Sequence, residues 1–394
     1  MLRKIMKLCA VLFLCGAQFS LYAQKTASGS KEQATWNLVE RSDFKRYDNG
    51  KYTGLVHREV RATINQAGIE TGGYKPYMGN FIVLEETLRD MRASAQAVDN
   101  VISVHYKMAH NGDMLIENDK GYPELRNFPM YSISDIKSGK TKKGDTWTAQ
   151  GKRAVDPLHN GETLVYPFLA EYEYKGVEDY KNMKVHHIQA SFASRWNNVS
   201  DSYIKSINGK HNIDILMSEE NGMLVLQRDN LDETFSFTNG NNVRFQGSIL
   251  IFGTGLPAID KPAIVTSIKS TPGIEVESVD AGLRLRIKDL QFKSDSDELL
   301  PSEEVRLDDI AKSLLQVKDR TFLVEGHTAH IGLEDNEQEL SVKRAKRIVE
   351  EMEKRGIPAA RFIYKGWGGT KPVGDNATDD GRKQNRRVEI TILN

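Results

Sequence analysis

Hydrophobic residues recur with a helical period near the start of the 394-residue chain. Leu84, Leu88, Met91, Ala95 and Val98 are spaced so that they fall on one face of a helix, and strand-like runs flank them. This spacing predicts an amphipathic helix. Residues 24–120 are therefore predicted to form a mixed α/β region.

A period of two dominates the next segment, residues 121–256. Its apolar runs are rich in aromatic and β-branched residues, as is typical of strands. Asn221-Gly222 and Asn239-Gly240 separate such runs, and Asn-Gly is the pair that tight hairpin turns favour because its central residues need positive φ. Short strands with recurring turn signals predict a β-rich domain, either a sandwich or a small barrel. Residues 257–276, which contain Pro257, Pro262 and Pro272, indicate a linker.

The last third of the chain alternates strand and helix periods. Leu283, Leu285 and Ile287 predict a half-buried strand, and Ser302 is predicted to cap a helix. The apolar stripe of that helix is assigned to Val305, Ile310, Leu314 and Val317. A strand at 321–324, a helix at 338–355 that ends at Gly356, and two final strands follow. The order β-α-β-α-β-β predicts a two-layer α/β sandwich over residues 277–394, and the whole chain is predicted to be α+β.

The N-terminus has the layout of a secretory signal peptide. A basic stretch, MLRKIMK, precedes an apolar run of ten residues and a small-residue cleavage site after Ala23. Cleavage would remove both cysteines, Cys9 and Cys15, and leave a mature chain without thiol chemistry. Lipidation at Cys15 is the alternative. No later segment is long and apolar enough to predict a membrane-spanning helix.

Charge and motif content exclude several classes of function. The chain has 54 basic and 54 acidic residues, so no basic excess points to nucleic acid. It lacks a P-loop, a nucleophile elbow and a dinucleotide fingerprint. His186 and His187 point to opposite faces of a predicted strand, which disfavours a shared metal ion. We therefore predict no enzyme, no catalytic residue, no cofactor and no metal site.

Four motifs in the C-terminal third carry a resemblance. They are LQFKSDSDELLP, VEGHTAHIG, LSVKRAKRIVEEMEKRGIPAARF and GWGGTKPVGDNATDDGRKQNRRVEI, in that order. Together they resemble the OmpA-like peptidoglycan-binding domain family over residues 277–394, and the resemblance does not extend to the N-terminal region. It implies a small cleft that holds the diaminopimelate residue of a peptidoglycan stem peptide, with an aspartate on the ligand ammonium and an arginine on a carboxylate.

Residue by residue, the resemblance implies an altered site. Arg344 matches the helix arginine, and Asn385 with Arg386 matches the last loop. Thr328 begins the binding loop, but Ala329 stands where the family has its aspartate, and Glu337 stands where an asparagine is usual. Two alternatives stay open. A carboxylate at Glu334, Asp335 or Glu337 substitutes for the missing anion, or Asn385 and Arg386 serve only to tie down the last loop.

These expectations describe an exported, non-catalytic protein of the cell envelope. It is expected in the periplasm, or on the periplasmic face of the outer membrane, of a diderm bacterium. Its expected partner is peptidoglycan with a diaminopimelate-type stem peptide, bound weakly because of Ala329. The alternative is a divergent interaction module that has lost peptidoglycan binding and contacts envelope proteins.

Overall fold

The computed structural model describes most of the chain in two compact units. The described residues are 35–88, 91–109, 114–116, 133–158, 164–197, 202–220, 222, 224–253, 264–265, 273–279, 281–288, 290–293, 296–317, 320–330, 332 and 334–393. The first unit lies within residues 1–90 and 100–255, and the second within 91–99 and 256–394. The predicted signal peptide, Asn221 and most of the predicted linker lie outside the described residues.

The first unit is built mainly from long antiparallel strands. Its elements are β1 (Thr35–Asp48), β2 (Lys51–Gln66), β3 (Tyr74–Leu84), β4 (Gln96–Ala109, which belongs to this unit from residue 100 on), β5 (Met114–Ile116), α1 (Ile133–Lys137), β6 (Thr146–Val155), β7 (Leu164–Tyr180), β8 (Met183–Asn197), β9 (Ile204–Ser218), β10 (Leu224–Phe237) and β11 (Asn242–Gly253). The hydrogen-bonded order is β4-β3-β2-β1-β11-β10-β9-β8-β7-β6, and β5 pairs with β4. The predicted segments 24–120 and 121–256 thus supply strands to one compact unit.

The core of the first unit is formed by the buried residues that alternate with exposed residues along its strands. In β7, buried and exposed residues alternate from Tyr166 to Tyr172, because successive side chains of a strand point to opposite faces. Tyr166, Phe168, Ala170 and Tyr172 lie in the same buried cluster. The β1–β2 connection is the tight turn Asn49-Gly50, in which both residues have positive φ.

The helix predicted from the spacing of Leu84 to Val98 is wrong. Leu84 ends β3 and Val98 lies in β4, and both are buried as strand residues. Leu88 between them is 72% exposed. Thr87 instead forms an isolated bridge with His57 on β2. The helical spacing is a coincidence. Leu84 at the end of β3 and Val98 near the start of β4 lie 14 positions apart, but they belong to two strands and not to one face of a helix.

The second unit combines a mixed sheet with two long helices. Its elements are β12 (Ile274–Val279), β13 (Gly282–Lys288), a 3₁₀ turn (Pro301–Glu303), α2 (Glu304–Leu315), β14 (Phe322–His327), α3 (Glu334–Lys354), a second 3₁₀ turn (Ala359–Arg361), β15 (Phe362–Gly366), α4 (Asp379–Asn385) and β16 (Arg387–Leu393). The order in the sheet is β12-β13-β16-β14-β15. Strands β14 and β15 are parallel, and β16 is antiparallel to both β13 and β14.

The predicted strand and helix order of this unit is observed, with β12 and α4 in addition. Buried residues of α2 and α3, including Leu314 and Ile348, join Leu285, Phe322 and Ile390 of the strands in one core. One detail of the helix prediction is wrong. Ser302 lies in the 3₁₀ turn rather than at a side-chain cap, and Val305 is 73% exposed. Leu307, and not Val305, is the first buried apolar residue of α2, which begins two residues after Ser302.

Candidate ligand-binding site

Glycine and serine bring α3 directly against the ends of β14 and β15. A Cβ on Gly326 would lie 2.2 Å from the carbonyl oxygen of Ser341, and one on Gly366 would lie 2.3 Å from Ser341 Oγ. Because β14 and β15 are parallel, their carboxyl ends meet at the same edge. Ser341 is fully buried. Only residues without a side chain fit at these strand ends, so the helix is fixed where the loop after β14 begins.

The loop after β14 is held by backbone bonds to the segment after β15. The Thr328 amide donates to the Gly368 carbonyl at 2.9 Å, and the Gly368 amide donates to Ser341 Oγ at 2.9 Å. Ala329 is buried. The buried hydroxyl of Thr328 has no hydrogen-bond partner within the described residues. The loop thus presents one unsatisfied polar atom beside an apolar side chain.

Glu337 has a carboxylate that contacts this loop. It is 5% exposed, whereas Glu334 and Asp335 on the same turn of α3 are exposed. Its Oε2 lies 3.1 Å from Nδ1 of His330, one residue beyond Ala329. Of the three carboxylates that the sequence offered as substitutes, Glu337 is therefore the one that turns inward.

Asn385 organises the last loop from inside. Its Oδ1 accepts from the amides of Val373 and Gly374, both at 2.8 Å, and its Nδ2 donates to Gly374 O and to Asn376 Oδ1. Asn376 Oδ1 in turn accepts from the His330 amide at 3.1 Å. These bonds use both donors and both acceptor positions of the Asn385 amide. They support the alternative in which Asn385 ties down the last loop.

Arg344 is held by contacts with the segment before α2. Its Nε donates to the Ser296 carbonyl at 3.1 Å, and its guanidinium lies over the Phe292 ring at 4.7 Å. The residue is buried to all but 8% of its surface. Both contacts fix the plane of the guanidinium, which is the geometry that a carboxylate requires for two parallel hydrogen bonds.

Arg386 is placed differently from the other predicted residues. It follows α4, and its side chain is exposed. Within the described part of the chain, its guanidinium has no recorded hydrogen-bond or ion-pair partner. The neighbouring Arg387 instead points inward and donates to Glu389 at 2.8 Å. The structure therefore joins Thr328, Ala329 and Glu337 around one loop, with Arg386 at the surface.

No sequence pattern singled out His330 or Asn376 as functional residues. Both act through hydrogen bonds between the binding loop and the last loop, across 46 residues of chain. Ser296 and Phe292, which hold Arg344, are likewise distant in sequence. These contacts depend on how the loops pack against each other, and no pattern in the neighbouring sequence indicates them.

The sheet carries an ionic cluster next to the binding loop. Glu389 on β16 pairs with Arg284, Arg286 and Arg387 at 2.8 to 3.2 Å. Burial opposes the charge of Glu389, but the hydrogen bond and positive charge of Arg387 outweigh it and lower the pKa of this carboxyl to about 2. Burial, followed by the charge of Arg387, lowers the pKa of His327 to about 3. At neutral pH the cluster thus contains an ionised Glu389 and a neutral His327.

Replacing Glu389 with glutamine should destabilise the second unit by about 3 kcal/mol at pH 7, because the buried Arg387 loses its anion. The folded-state pKa lies below the ordinary value of 4.5. The stabilisation is therefore complete above pH 4.5 and is lost as the pH falls through 2. Urea unfolding across this range should show a stability difference between wild type and Glu389→Gln that shrinks with acid. A constant difference would contradict the assignment.

The described residues contain neither a metal-binding cluster nor a membrane-spanning helix. Among the described residues, no group of three or more His, Cys, Asp or Glu is arranged to hold a metal ion. None of the helices formed by those residues is long and apolar enough to cross a membrane. His186 contacts the Tyr174 hydroxyl, whereas His187 contacts Glu178 and Asp214. The two histidines thus lie in separate surroundings.

Comparison with known proteins places the site within a family. The model of the OmpA family matches residues 291–386. Outer-membrane lipoprotein YfiB of Pseudomonas aeruginosa is 40% identical over 101 residues, which cover 26% of this chain and 60% of that protein. Peptidoglycan-binding protein ArfA of Mycobacterium tuberculosis is 32% identical over 103 residues, covering 26% and 32%. Outer membrane protein A of Bordetella avium is 30% identical over 140 residues, covering 36% of this chain and 70% of that protein.

The chain belongs to the OmpA family. The resemblance predicted for the C-terminal third is thereby confirmed. The chain spans only 60% of the length of YfiB and 32% of ArfA, so the relationship concerns the shared domain. The OmpA-family match contains all six residues of the predicted site, which are Thr328, Ala329, Glu337, Arg344, Asn385 and Arg386.

Proposed function

We propose that this OmpA-family chain is a non-catalytic cell-envelope protein whose C-terminal domain associates with peptidoglycan through a diaminopimelate-type stem peptide. The observation that carries the proposal is the family match over residues 291–386, whose relatives include a protein named for peptidoglycan binding. Other relatives are named as outer-membrane proteins. The proposed location is accordingly the periplasm or the periplasmic face of the outer membrane.

The geometry of Arg344 supports a carboxylate ligand. The Ser296 and Phe292 contacts hold the guanidinium in one orientation, and a fixed planar fork of donors binds carboxylate with little loss of side-chain entropy. The unpartnered Thr328 hydroxyl supplies a polar atom at the loop that begins at this residue. Arg344 is thus proposed to bind a stem-peptide carboxylate, and the loop 328–330 is proposed to border the ligand.

Ala329 is proposed to weaken this binding. A ligand ammonium that enters the loop loses water, and the buried alanine methyl offers no anion in return. Glu337, whose carboxylate contacts His330, is the candidate to supply that anion. Binding is therefore expected to be weaker than in a domain that has an aspartate at this position.

Co-sedimentation with purified sacculi tests the proposal. The full chain is expected to sediment with diaminopimelate-containing sacculi at low salt, and Arg344→Ala should reduce the bound fraction about tenfold or more. Lys343→Ala is the matched control, since Lys343 is an exposed neighbour that pairs with Glu339. Equal sedimentation of wild type and Arg344→Ala would contradict a ligand role for Arg344.

The second candidate function is that of an interaction module. The observation that favours it is Ala329, because loss of the family's anion removes a ligand contact without unfolding the domain. In that case the full chain would remain in the supernatant when sacculi are sedimented, and it would bind an envelope protein instead. Sacculus sedimentation therefore separates the two functions directly.

A further inference from the structure

Polar side chains interrupt the buried apolar face of the first unit. Glu40 and Ser42 on β1, and Gln227 and Asp229 on β10, are each at most 3% exposed. Glu40 and Gln227 both pair with Ile251 of the strand between them, and Ser42 and Asp229 both pair with Ile249. Residues in cross-strand register share one face of a sheet. We call these four residues the inner polar cluster.

Adjacent polar residues on the same face satisfy one another. Arg153 forms an ion pair with Glu233, and the Tyr166 hydroxyl lies 3.0 Å from the same carboxylate. His211 Nδ1 lies 2.7 Å from Asp229 Oδ2. These pairs form a network that borders the inner polar cluster, and they account for one of the two oxygens of Asp229.

The inner polar cluster itself is incomplete. Within the described residues, no hydrogen-bond partner exists for Gln227 Oε1, Gln227 Nε2, Glu40 Oε2 or Asp229 Oδ1. Gln227 has no exposed surface and pairs with Ile251 on one side and Ile215 on the other. A buried polar group without a partner costs about 1–3 kcal/mol. Four such atoms on β1 and β10, the two strands on either side of β11, indicate that another molecule completes them.

The spacing of the cluster sets the size of that molecule. Neighbouring strands lie about 4.8 Å apart, so the Cα atoms of Glu40 and Gln227 are about 10 Å apart across β11. The inward side chains of this sheet converge, because Arg153 on β6 contacts Glu233 on β10 across three intervening strands. The polar ends of Glu40 and Gln227 therefore lie closer together than their Cα atoms, and the molecule that completes them must be small.

The unpartnered atoms also set its chemistry, since three of them accept hydrogen bonds and one donates. Arg58 is paired with Glu86, as Arg153 is with Glu233. Among the described residues of the cluster and this network, Glu40 is the carboxyl group without an ion-pair partner. We propose that the inner polar cluster binds a small amino alcohol, with its ammonium at Glu40 and its hydroxyl at Gln227.

The protonation of Glu40 is consistent with such a ligand. Burial raises the pKa of Glu40 well above its usual range, against the opposing charge of Arg58 and the hydrogen bond from Ser42. Burial therefore favours the protonated, neutral form of Glu40 over the carboxylate. A bound ammonium would take the place of that proton, because it also offers N–H donors to the carboxylate.

Titration of the full chain with ethanolamine tests the proposal. Ethanolamine should raise the melting temperature of wild type and shift the side-chain amide signal of Gln227 in NMR spectra. Gln227→Leu and Glu40→Gln should each weaken ethanolamine binding at least tenfold. Gln189→Leu, at an exposed position of β8, is the matched control and should bind like wild type. Acetate, which lacks donors, should cause no shift.

Gln227→Leu removes a buried amide and keeps a similar volume, so it should fold and melt at or above the wild-type temperature in buffer alone. Two outcomes would overturn the proposal. In one, the Gln227 amide shows contacts to internal water that ethanolamine leaves unchanged, which means water only. In the other, Gln227→Leu and wild type bind ethanolamine equally well, which means that it binds elsewhere.

Discussion

Changing Ala329 to aspartate should strengthen binding of a diaminopimelate-containing muropeptide by about thirtyfold or more. The reason is that a desolvated, hydrogen-bonded charge pair is typically worth about 2–5 kcal/mol when one partner is removed, and about 1.4 kcal/mol corresponds to a factor of ten in affinity. The new carboxylate would meet the ligand ammonium at a position that is now a buried methyl group. Calorimetric titration of wild type and Ala329→Asp with the same muropeptide measures the gain.

Two further variants make this result specific. Ala360→Asp adds the same charge at an exposed position in the 3₁₀ turn that precedes β15, and it should leave the affinity unchanged. In an Arg344→Ala background, the gain from Ala329→Asp should shrink because the two groups bind one ligand. Tight binding by wild type would show that Glu337 supplies the anion. No gain from Ala329→Asp would favour the interaction-module function.

Changing Gly326 to valine should unfold the second unit or destabilise it by more than about 4 kcal/mol. The added Cβ would lie 2.2 Å from the Ser341 carbonyl oxygen, which belongs to the helix backbone and cannot rotate away. The helix would have to leave the strand ends and expose core residues such as Ala345 and Ile348.

Urea unfolding of the full chain followed by circular dichroism measures this effect. Val305→Ala changes an exposed side chain on α2 and should alter stability by less than about 0.5 kcal/mol. A Gly326→Val protein with wild-type stability would show that α3 packs against β14 differently from the arrangement described above.

Hydrophobic periodicity predicted the second unit well because each element there has one buried face. Leu283, Leu285 and Ile287 alternate with charged residues on β13 and are all buried. The buried residues of α3 recur with helical spacing. The same logic failed between Leu84 and Val98, because a window of apolar residues was read across a strand end, a loop and the next strand.

Family resemblance proposed residues for the site, but it did not indicate how they are held. Asn385 aligns with a ligand-binding loop, yet its amide is used in bonds to Val373, Gly374 and Asn376. Arg344 is oriented by Ser296, 48 positions earlier in the chain. Such contacts join segments that are distant in sequence. A single sequence contains no periodic or spacing signal for them.

The inner polar cluster was invisible for a related reason. Glu40 lies at an inward position of β1, and Gln227 and Asp229 lie at successive inward positions of β10. Taken one strand at a time, such polar residues look like ordinary solvent-exposed strand residues. Only the register of β1 and β10 on either side of β11 brings them together.

An NMR titration of the isotope-labelled full chain with a diaminopimelate-containing muropeptide tests the central claim most directly. The account predicts fast-exchange shifts, as expected for weak binding, that centre on the Thr328 and Ala329 amides and the Arg344 Nε–H group. Glu337 and His330 should shift less, and the exposed face of α2 around Val305 should not shift. Absence of shifts at saturating muropeptide, or shifts confined to residues away from the loop after β14 and Arg344, would contradict it.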